Sequence, residues 1–173
     1  MSESSKGITW VNLGDLGVGR PNMGTGTDVM VYRLFQFSVR HVLEDRLGIE
    51  RTEELMREAG EVAGRAFAAS QLDKDKPFFE YVADLQRKLA DLKVGILRIE
   101  KADLEKLEFV LTVSEDLDCS GLPITGKPVC TFDEGFIAAI AEHYLGRKLS
   151  VREVDCWATG AKTCRFEVKA VGQ

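Results

Sequence analysis

The sequence predicts an α+β fold in which N-terminal helices pack on an antiparallel sheet, with a further helix and a β-hairpin near the C-terminus. Two observations predict this fold. Apolar residues recur at helical spacing up to about residue 92, and from residue 94 onward short apolar segments alternate with polar positions. The chain has 173 residues, which is the length of one domain.

Composition excludes several classes of protein. Hydrophobic residues make up 45% and charged residues 29% of the chain, a mixture that can bury a core. The net charge of −5 argues against a nucleic-acid partner and against docking on anionic lipid. No segment approaches the roughly 18 apolar residues of a membrane span, and residues 1–6 lack the apolar core of a secretion signal. We therefore expect a cytoplasmic protein without nucleic-acid or membrane partners.

Residues 1–28 are predicted to form an N-terminal arm, and residues 29–173 a single domain. The arm is rich in glycine and has weak hydrophobic periodicity. The stretch Gly17-Val18-Gly19 is only superficially like a phosphate-binding loop, because no predicted strand and helix flank it. We therefore expect no nucleotide site in the arm.

Two helices are predicted to follow the arm. The first covers about residues 28–47 and ends at Gly48, and Thr52 is predicted to cap the second. Gly60 and Gly64 lie four residues apart in the second helix, so another helix can approach closely there, either inside the domain or across a dimer interface. In the first helix, the apolar residues that fall at helical spacing are Val31, Leu34, Phe35, Val39, Val42 and Leu43.

The remaining elements form the rest of the predicted fold. They are a third helix after Pro77, strands over 94–101 and 108–114, a helix over about 133–145, and strands over 149–156 and 164–168. Asp133 is predicted to cap the last helix and Gly146 to end it. The two strand pairs each form a hairpin.

All four cysteines lie in the last third of the chain, and the fold is predicted to bring them together. Cys156 and Cys164 lie at facing ends of the last hairpin, and the helix after Cys130 returns the chain to that hairpin. In a reducing compartment, clustered cysteines indicate a metal site before a disulfide. Zinc prefers such soft donors, and four protein ligands fill its tetrahedral shell. The sequence therefore predicts a structural zinc ion that clasps the hairpin.

The fourth zinc ligand stays open on the residues alone. Glu153 lies three residues before Cys156, so the two side chains point to opposite faces of a regular strand unless a bulge near Asp155 brings them together. Cys119 is the chemically softer alternative, and Asp118 and Asp155 are weaker ones. Two other interpretations remain, namely four inert core cysteines or a reversible disulfide.

The C-terminal segments 130–136, 151–156 and 160–168 resemble the 4-vinyl reductase domain family. The shared pattern is a cysteine, a helix, a Glu-x-x-Cys strand end, a glycine turn and a Cys-x-Phe strand. The resemblance covers roughly residues 90–170. It implies an α+β fold with helices packed on an antiparallel sheet.

The resemblance also implies a particular set of zinc ligands. In phenol-sensing bacterial regulators of this family, three cysteines and one glutamate bind the metal. The spacing of their motif matches Cys130, Glu153, Cys156 and Cys164, which favours Glu153 over Cys119 as the fourth ligand.

Members of the family bind small hydrophobic molecules in an enclosed pocket near the metal, and they often form homodimers. The resemblance therefore implies a small hydrophobic or aromatic ligand and a homodimer for this chain. Taken singly, each candidate pocket residue is more simply a core residue. The candidates are Phe78, Tyr81, Phe109, Leu111, Phe136, Ile140 and Val151.

The leading hypothesis is a zinc-containing cytoplasmic domain that binds a small hydrophobic molecule as a sensor or carrier. One alternative is a reductase or accessory factor in tetrapyrrole-type vinyl reduction, from which the family takes its name. Another is a protein-interaction module like the related subunits of a transport-tethering complex. The enzyme hypothesis is weaker, since the sequence has no dinucleotide fingerprint or nucleophile elbow, and His41 and His143 are more simply structural or solvated. No catalytic residue is predicted.

Overall fold

A computed structural model describes residues 7–172, so residues 1–6 of the predicted arm lie outside the described residues. The described part contains five α-helices and one four-stranded antiparallel sheet, which confirms the α+β class. Within it, none of the helices has the length and apolar character that crossing a bilayer requires. The helices are α1 Leu16–Gly19, α2 Val29–Leu47, α3 Ile49–Gln71, α4 Phe78–Asp91 and α5 Thr131–Leu145. The strands are β1 Ile96–Asp103, β2 Glu108–Ser114, β3 Leu149–Asp155 and β4 Cys164–Ala170.

The sheet joins the two predicted hairpins through their inner strands. Its order is β1-β2-β4-β3, and every neighbouring pair is antiparallel. Val113 of β2 pairs with Cys164 of β4, so the loop after β2 begins close to the start of β4. A bulge interrupts the β3–β4 register between Glu153 and Asp155, at the position where the sequence required one for Glu153 to reach the metal. The core lies where α4 and α5 pack against this sheet.

Helices α3 and α5 pack closely because glycine removes the side chains at their contact. A Cβ atom on Gly60 would collide with the backbone carbonyl of Phe132, and one on Gly64 would collide with that of Phe136. Gly135 of α5 is similarly pressed against the backbone of α3. The two glycines of α3 therefore serve packing inside the domain, which was one of the two predicted roles.

Helix α2 turns its polar side toward the protein and much of its apolar side outward. Val31, Leu34 and Phe35 are 60%, 71% and 72% exposed, whereas Gln36 and Arg40 are buried. The helical spacing of the apolar residues therefore does not mark the buried face of α2. The cause is the surface on which α2 packs, which consists of loops that present carbonyl and carboxylate oxygens and need hydrogen-bond donors.

Two residues that were predicted to cap helices occupy other positions. Helix α3 begins three residues before Thr52, and the hydroxyl of Thr52 donates to the carbonyl of Gly48 from within the helix. Helix α5 begins two residues before Asp133, with Cys130 at the cap position. Asp133 therefore lies inside the first turn of α5 and is not its cap residue.

Candidate metal centre and adjoining cavity

The four cysteines form one buried cluster at the end of the sheet. None is more than 1% exposed, and all are free thiols whose sulfur atoms lie within 4.8 Å of one another. The Sγ atom of Cys130 lies 3.8 Å from that of Cys156 and 3.9 Å from that of Cys164. The Sγ atom of Cys119 lies 3.1 Å from that of Cys164. The structure therefore brings all four predicted thiol ligands together, including the alternative ligand Cys119.

These separations fit a tetrahedral metal ion. Zinc–sulfur bonds of about 2.3 Å in tetrahedral geometry place the sulfur atoms roughly 3.8 Å apart. Both distances from Cys130 match this value, and the Cys119–Cys164 pair would have to open slightly. That pair is still far longer than a disulfide bond, which is about 2.05 Å. The cluster is therefore suited to a four-coordinate ion that prefers soft ligands.

Contacts among the thiols set their pKa values apart. The contact with Cys119 is the largest cause in each case: it lowers the pKa of Cys156 and raises the pKa values of Cys130 and Cys164. Zinc would stabilise all four sulfur atoms as thiolates, because metal ligation deprotonates cysteine outright.

Glu153 lies beside the cluster and offers a fifth donor. Its Oε2 atom accepts a hydrogen bond from the backbone N–H of Cys130 at 3.3 Å. Its Oε1 atom is buried and has no hydrogen-bond partner among the residues that the structure describes. Burial, together with the neighbouring Cys156, raises the pKa of Glu153 to about 8. The donors that lie within 4.8 Å of one another are the four thiols, so the structure places Glu153 beside this group and does not bring its carboxylate into it.

The β3 backbone at Glu153 is held from the helical side. The N–H of Glu153 donates to Oε1 of Glu134 at 2.8 Å. The other carboxylate oxygen of Glu134 accepts a hydrogen bond from Arg57 at 2.6 Å, so an ion pair between α3 and α5 anchors the strand. This support places Glu153 next to Cys130 whether or not it binds the metal.

Donors from α2 hold the loop that contains Cys119. The guanidinium of Arg33 donates to the carbonyls of Leu117 and Ser120 at 2.8 and 2.9 Å. Asp118 accepts hydrogen bonds from the hydroxyl of Tyr32 at 2.8 Å and from Gln36 of the same helix. Burial next to this carboxylate raises the pKa of Tyr32 above its usual value. The loop is therefore fixed on both sides of Cys119.

A fourth side chain of α2, that of Arg40, holds the loop before α5. Arg40 donates to the carbonyl of Val129 at 3.0 Å and to the hydroxyl of Thr131 at 2.9 Å, which flank Cys130. The sequence analysis missed these α2 residues. The available sequence pattern was the spacing of Arg33, Gln36 and Arg40 at intervals of three and four residues, which the prediction did not use.

A cavity of about 100 Å³ lies beside the cluster, between the sheet and helices α4 and α5. Six of the seven predicted ligand-binding residues line it, namely Phe78, Tyr81, Phe109, Leu111, Phe136 and Ile140. Val151 lies elsewhere, in a surface cleft with Arg57 and Glu134. The wall is otherwise aliphatic and aromatic, and the hydroxyl of Tyr81 is occupied by a hydrogen bond to the carbonyl of Ile140 at 3.0 Å.

Two acidic residues line the same cavity at the end near the cysteines. Carboxyl oxygens of Asp116 and Asp133 and the sulfur of Cys130 lie within 4.8 Å of one another. Burial raises the pKa of Asp116 to about 6 and the pKa of Asp133 well above its usual value. The sequence predicts a loop position for Asp116 and a cap position for Asp133. However, Asp133 precedes Ile137 and Ile140 on one helical face, and that spacing was the available pattern.

Comparison with known proteins identifies the family. The model of the 4-vinyl reductase domain matches residues 109–170, which include all of the cysteines. An uncharacterised protein of Methanocaldococcus jannaschii is 31% identical over 149 residues, covering 86% of this chain and 81% of the relative. The phenol-responsive sensory domain of the transcription activator PoxR, in its crystal structure with phenol, has a TM-score of 0.65 at 18% identity, covering 83% of this chain and 75% of that one. A vinyl-4-reductase family protein of Methanocaldococcus jannaschii has a TM-score of 0.60 at 18% identity, covering 86% and 85%. The chain therefore belongs to the 4-vinyl reductase domain family.

Proposed function

We propose that the protein is a cytoplasmic zinc-containing domain that binds a small hydrophobic or aromatic molecule and acts as a sensor or carrier. The observation that carries this proposal is the apolar cavity that adjoins the cysteine cluster. The shared fold with a phenol-responsive sensory domain supports a small-molecule ligand. Four free thiols in one cluster fit a reducing compartment such as the cytoplasm.

The size of the cavity indicates a ligand of about one aromatic ring. Dry apolar cavities of about 150 Å³ in proteins hold benzene, and this cavity has about 100 Å³ before any side chain moves. Aromatic rings supply part of its wall. The Phe78 and Phe109 rings are stacked with centroids 6.0 Å apart, and the Tyr81 and Tyr144 rings lie 4.5 Å apart. A flat ring is the molecular shape that such a wall contacts best.

The zinc ion in this proposal is structural. Cys130, Cys156 and Cys164 bind it, and the fourth ligand is Cys119 or Glu153. The sulfur separations favour Cys119, whereas the family motif favours Glu153. In either case the ion would join the loop before α5 to the last hairpin and supply folding energy.

The predicted homodimer is also part of the proposal. Val31, Leu34, Phe35 and Val42 leave an apolar stripe on the outside of α2, and we define these four residues as the α2 stripe. Contiguous apolar surface of this kind is typical of protein–protein interfaces. A second copy of the chain is the partner that the family resemblance implies, and the α2 stripe is where we place it.

The experiment that tests the function combines native mass spectrometry with ligand titration. We expect one zinc ion per chain, and we expect toluene to bind and raise the melting temperature. Ile137→Phe fills the cavity from α5 and should abolish binding, whereas Ile49→Phe makes the same change at an exposed position of α3 and should not. Undiminished toluene binding by the Ile137→Phe variant would contradict a ligand site in this cavity.

A further inference from the structure

We propose that Asp116 and Asp133 form an acidic end of the cavity and bind the amino group of an otherwise apolar ligand. The inference rests on the proposed function and adds the chemical class of the ligand's polar group. It concerns a site within the cavity that none of the residues predicted from the sequence occupies.

The carboxyl groups of Asp116 and Asp133 lie close together in the cavity wall. Both line a cavity whose other walls are apolar, and their oxygens lie within 4.8 Å of each other. One small group at that end of the cavity can contact both of them. Oδ1 of Asp116 already accepts the backbone N–H groups of Asp118 and Cys119 at 2.8 and 3.0 Å. Asp116 is thereby held in place with one of its two oxygens still available.

A buried oxygen atom of Asp133 also favours a ligand that donates a hydrogen bond. The Oδ2 atom of Asp133 is buried and accepts no hydrogen bond from any residue in the range 7–172. A buried acceptor without a donor costs free energy, and native proteins rarely leave one unexplained. A ligand that brings a donor into the cavity would satisfy this atom.

The charge around the two carboxyl groups favours a cationic ligand group. In the described part of the chain, no lysine or arginine forms an ion pair with Asp116 or Asp133. Arg33 and Arg40 approach from α2, but they donate to loop carbonyls and to Thr131. The four nearby thiols add further negative charge once they ionise. A cationic group therefore complements this end of the cavity, and an anionic group is repelled.

The number of hydrogen-bond donors distinguishes an amine from an alcohol as the ligand's polar group. A primary ammonium group has three N–H donors and can serve both carboxyl groups at once, whereas a hydroxyl has one. Hydrogen bonds between two charged groups are also about twice as strong as neutral ones. An amine is therefore the head group that satisfies both aspartates, and a ring or short alkyl body would fill the apolar remainder.

The test uses four probes that share one ring and differ in a single substituent. Benzylamine, benzyl alcohol, toluene and benzoate are titrated by calorimetry into the full-length, zinc-loaded protein. We expect benzylamine to bind about tenfold or more tighter than benzyl alcohol, because its bonds are charge-assisted. Toluene should bind more weakly than either, and benzoate should show no binding.

Variants then assign the preference to the two residues. Asp133→Asn and Asp116→Asn each keep the side-chain shape and remove the acid, and each should reduce the preference for benzylamine over benzyl alcohol by about tenfold. The zinc content and melting temperature of each variant are measured as well, so that a loss of the fold is distinguished from a loss of the amine site. Asp91→Asn is the matched control, since it makes the same change at an exposed position of α4 and should leave all affinities unchanged.

The outcomes separate this inference from the function on which it rests. Equal affinity for benzylamine and benzyl alcohol in the unmodified protein, or tight binding of benzoate, would overturn the acidic-end assignment while cavity binding stands. A preference that survives in both asparagine variants would also overturn it. If no probe binds, toluene included, the proposed function itself fails.

Discussion

The sulfur atoms of Cys119 and Cys164 lie 3.1 Å apart, although helix α5 and strand β3 separate the two residues in the chain. This contact makes Cys119 a full member of the cluster, and it is the strongest geometric reason to consider a four-cysteine zinc site. The competing candidate ligand, Glu153, lies next to Cys130 and accepts a hydrogen bond from its backbone N–H.

The first prediction concerns the fourth ligand. We expect Cys119→Ser to weaken zinc binding by more than the roughly 10- to 100-fold typical of losing a group that only supports a metal ligand. Glu153→Gln should keep one zinc ion per chain. Zinc affinity is measured by competition with a chromophoric chelator, and zinc content by native mass spectrometry. The opposite ranking of the two variants would identify Glu153 as the ligand and Cys119 as its neighbour.

The second prediction concerns pH and the metal-free protein. Burial raises the pKa of Glu153 from 4.5 to about 8, so the folded protein holds a proton that the unfolded chain releases above its lower pKa. The stabilisation is fully present below about pH 4.5 and is lost as pH rises toward 8. We therefore expect the free energy of unfolding, measured with urea after zinc removal, to fall across that range.

The control for this pH dependence is Glu153→Gln, which cannot titrate. Its slope of unfolding free energy against pH should be shallower than that of the unmodified protein. Asp116 and Asp133 contribute slopes of the same sign, since their pKa values are also raised, and these contributions remain in the variant. Identical slopes with and without the Glu153 carboxyl would contradict the assigned pKa.

The third prediction concerns the helix contact. Alanine is favoured over glycine by about 1 kcal/mol in a helix interior, but a Cβ at Gly60 collides with the backbone of α5. Backbone cannot move aside as a side chain can, so the clash decides the sign. We expect Gly60→Ala to lower the free energy of unfolding by about 1–3 kcal/mol. Gly26→Ala, where the added atom meets open space, should have little effect, and equal stability of the two variants would contradict the close contact.

The fourth prediction concerns assembly. If a second copy covers the α2 stripe, Leu34→Lys places a charge in the centre of the interface and should convert a dimer into a monomer in analytical ultracentrifugation. Leu104→Lys makes the same change at an exposed position between β1 and β2 and should leave the dimer intact. A monomeric unmodified protein would show that the α2 stripe has another use.

Much of the fold was predictable because local patterns determine it. Helical spacing in α3 to α5 and alternation in β2 correspond to buried faces, and glycines at the helix ends mark where the elements stop. Helix α2 was different. Its orientation depends on the carbonyls of the loop after β2, which lie more than 80 residues away in sequence. Helical spacing of apolar residues identifies the buried face only where a helix packs on an apolar surface. Helix α2 packs on polar loops, so its polar face is buried instead.

The candidate site was predictable to a similar degree. The cysteines and six cavity-lining residues could be named, because few residue types bind zinc and because the helix and strand faces were correct. Asp133 could not be placed, since aspartate is a favoured cap and the true start of α5 lies two residues earlier. Val151 was expected at the cavity because it alternates correctly on β3, but β3 lies at the sheet edge away from the cavity.

One short loop connects the cavity to the cysteine cluster. Asp116 lines the cavity, Cys119 belongs to the thiol cluster three residues later, and two backbone hydrogen bonds to the Asp116 carboxyl tie them together. A molecule that displaces Asp116 therefore also displaces a thiol of the cluster. Thermodynamic linkage makes such an effect reciprocal: whatever factor a bound molecule applies to zinc affinity, zinc applies to the affinity for that molecule. The supply of metal in the cell would then set the concentration at which the domain responds to its ligand.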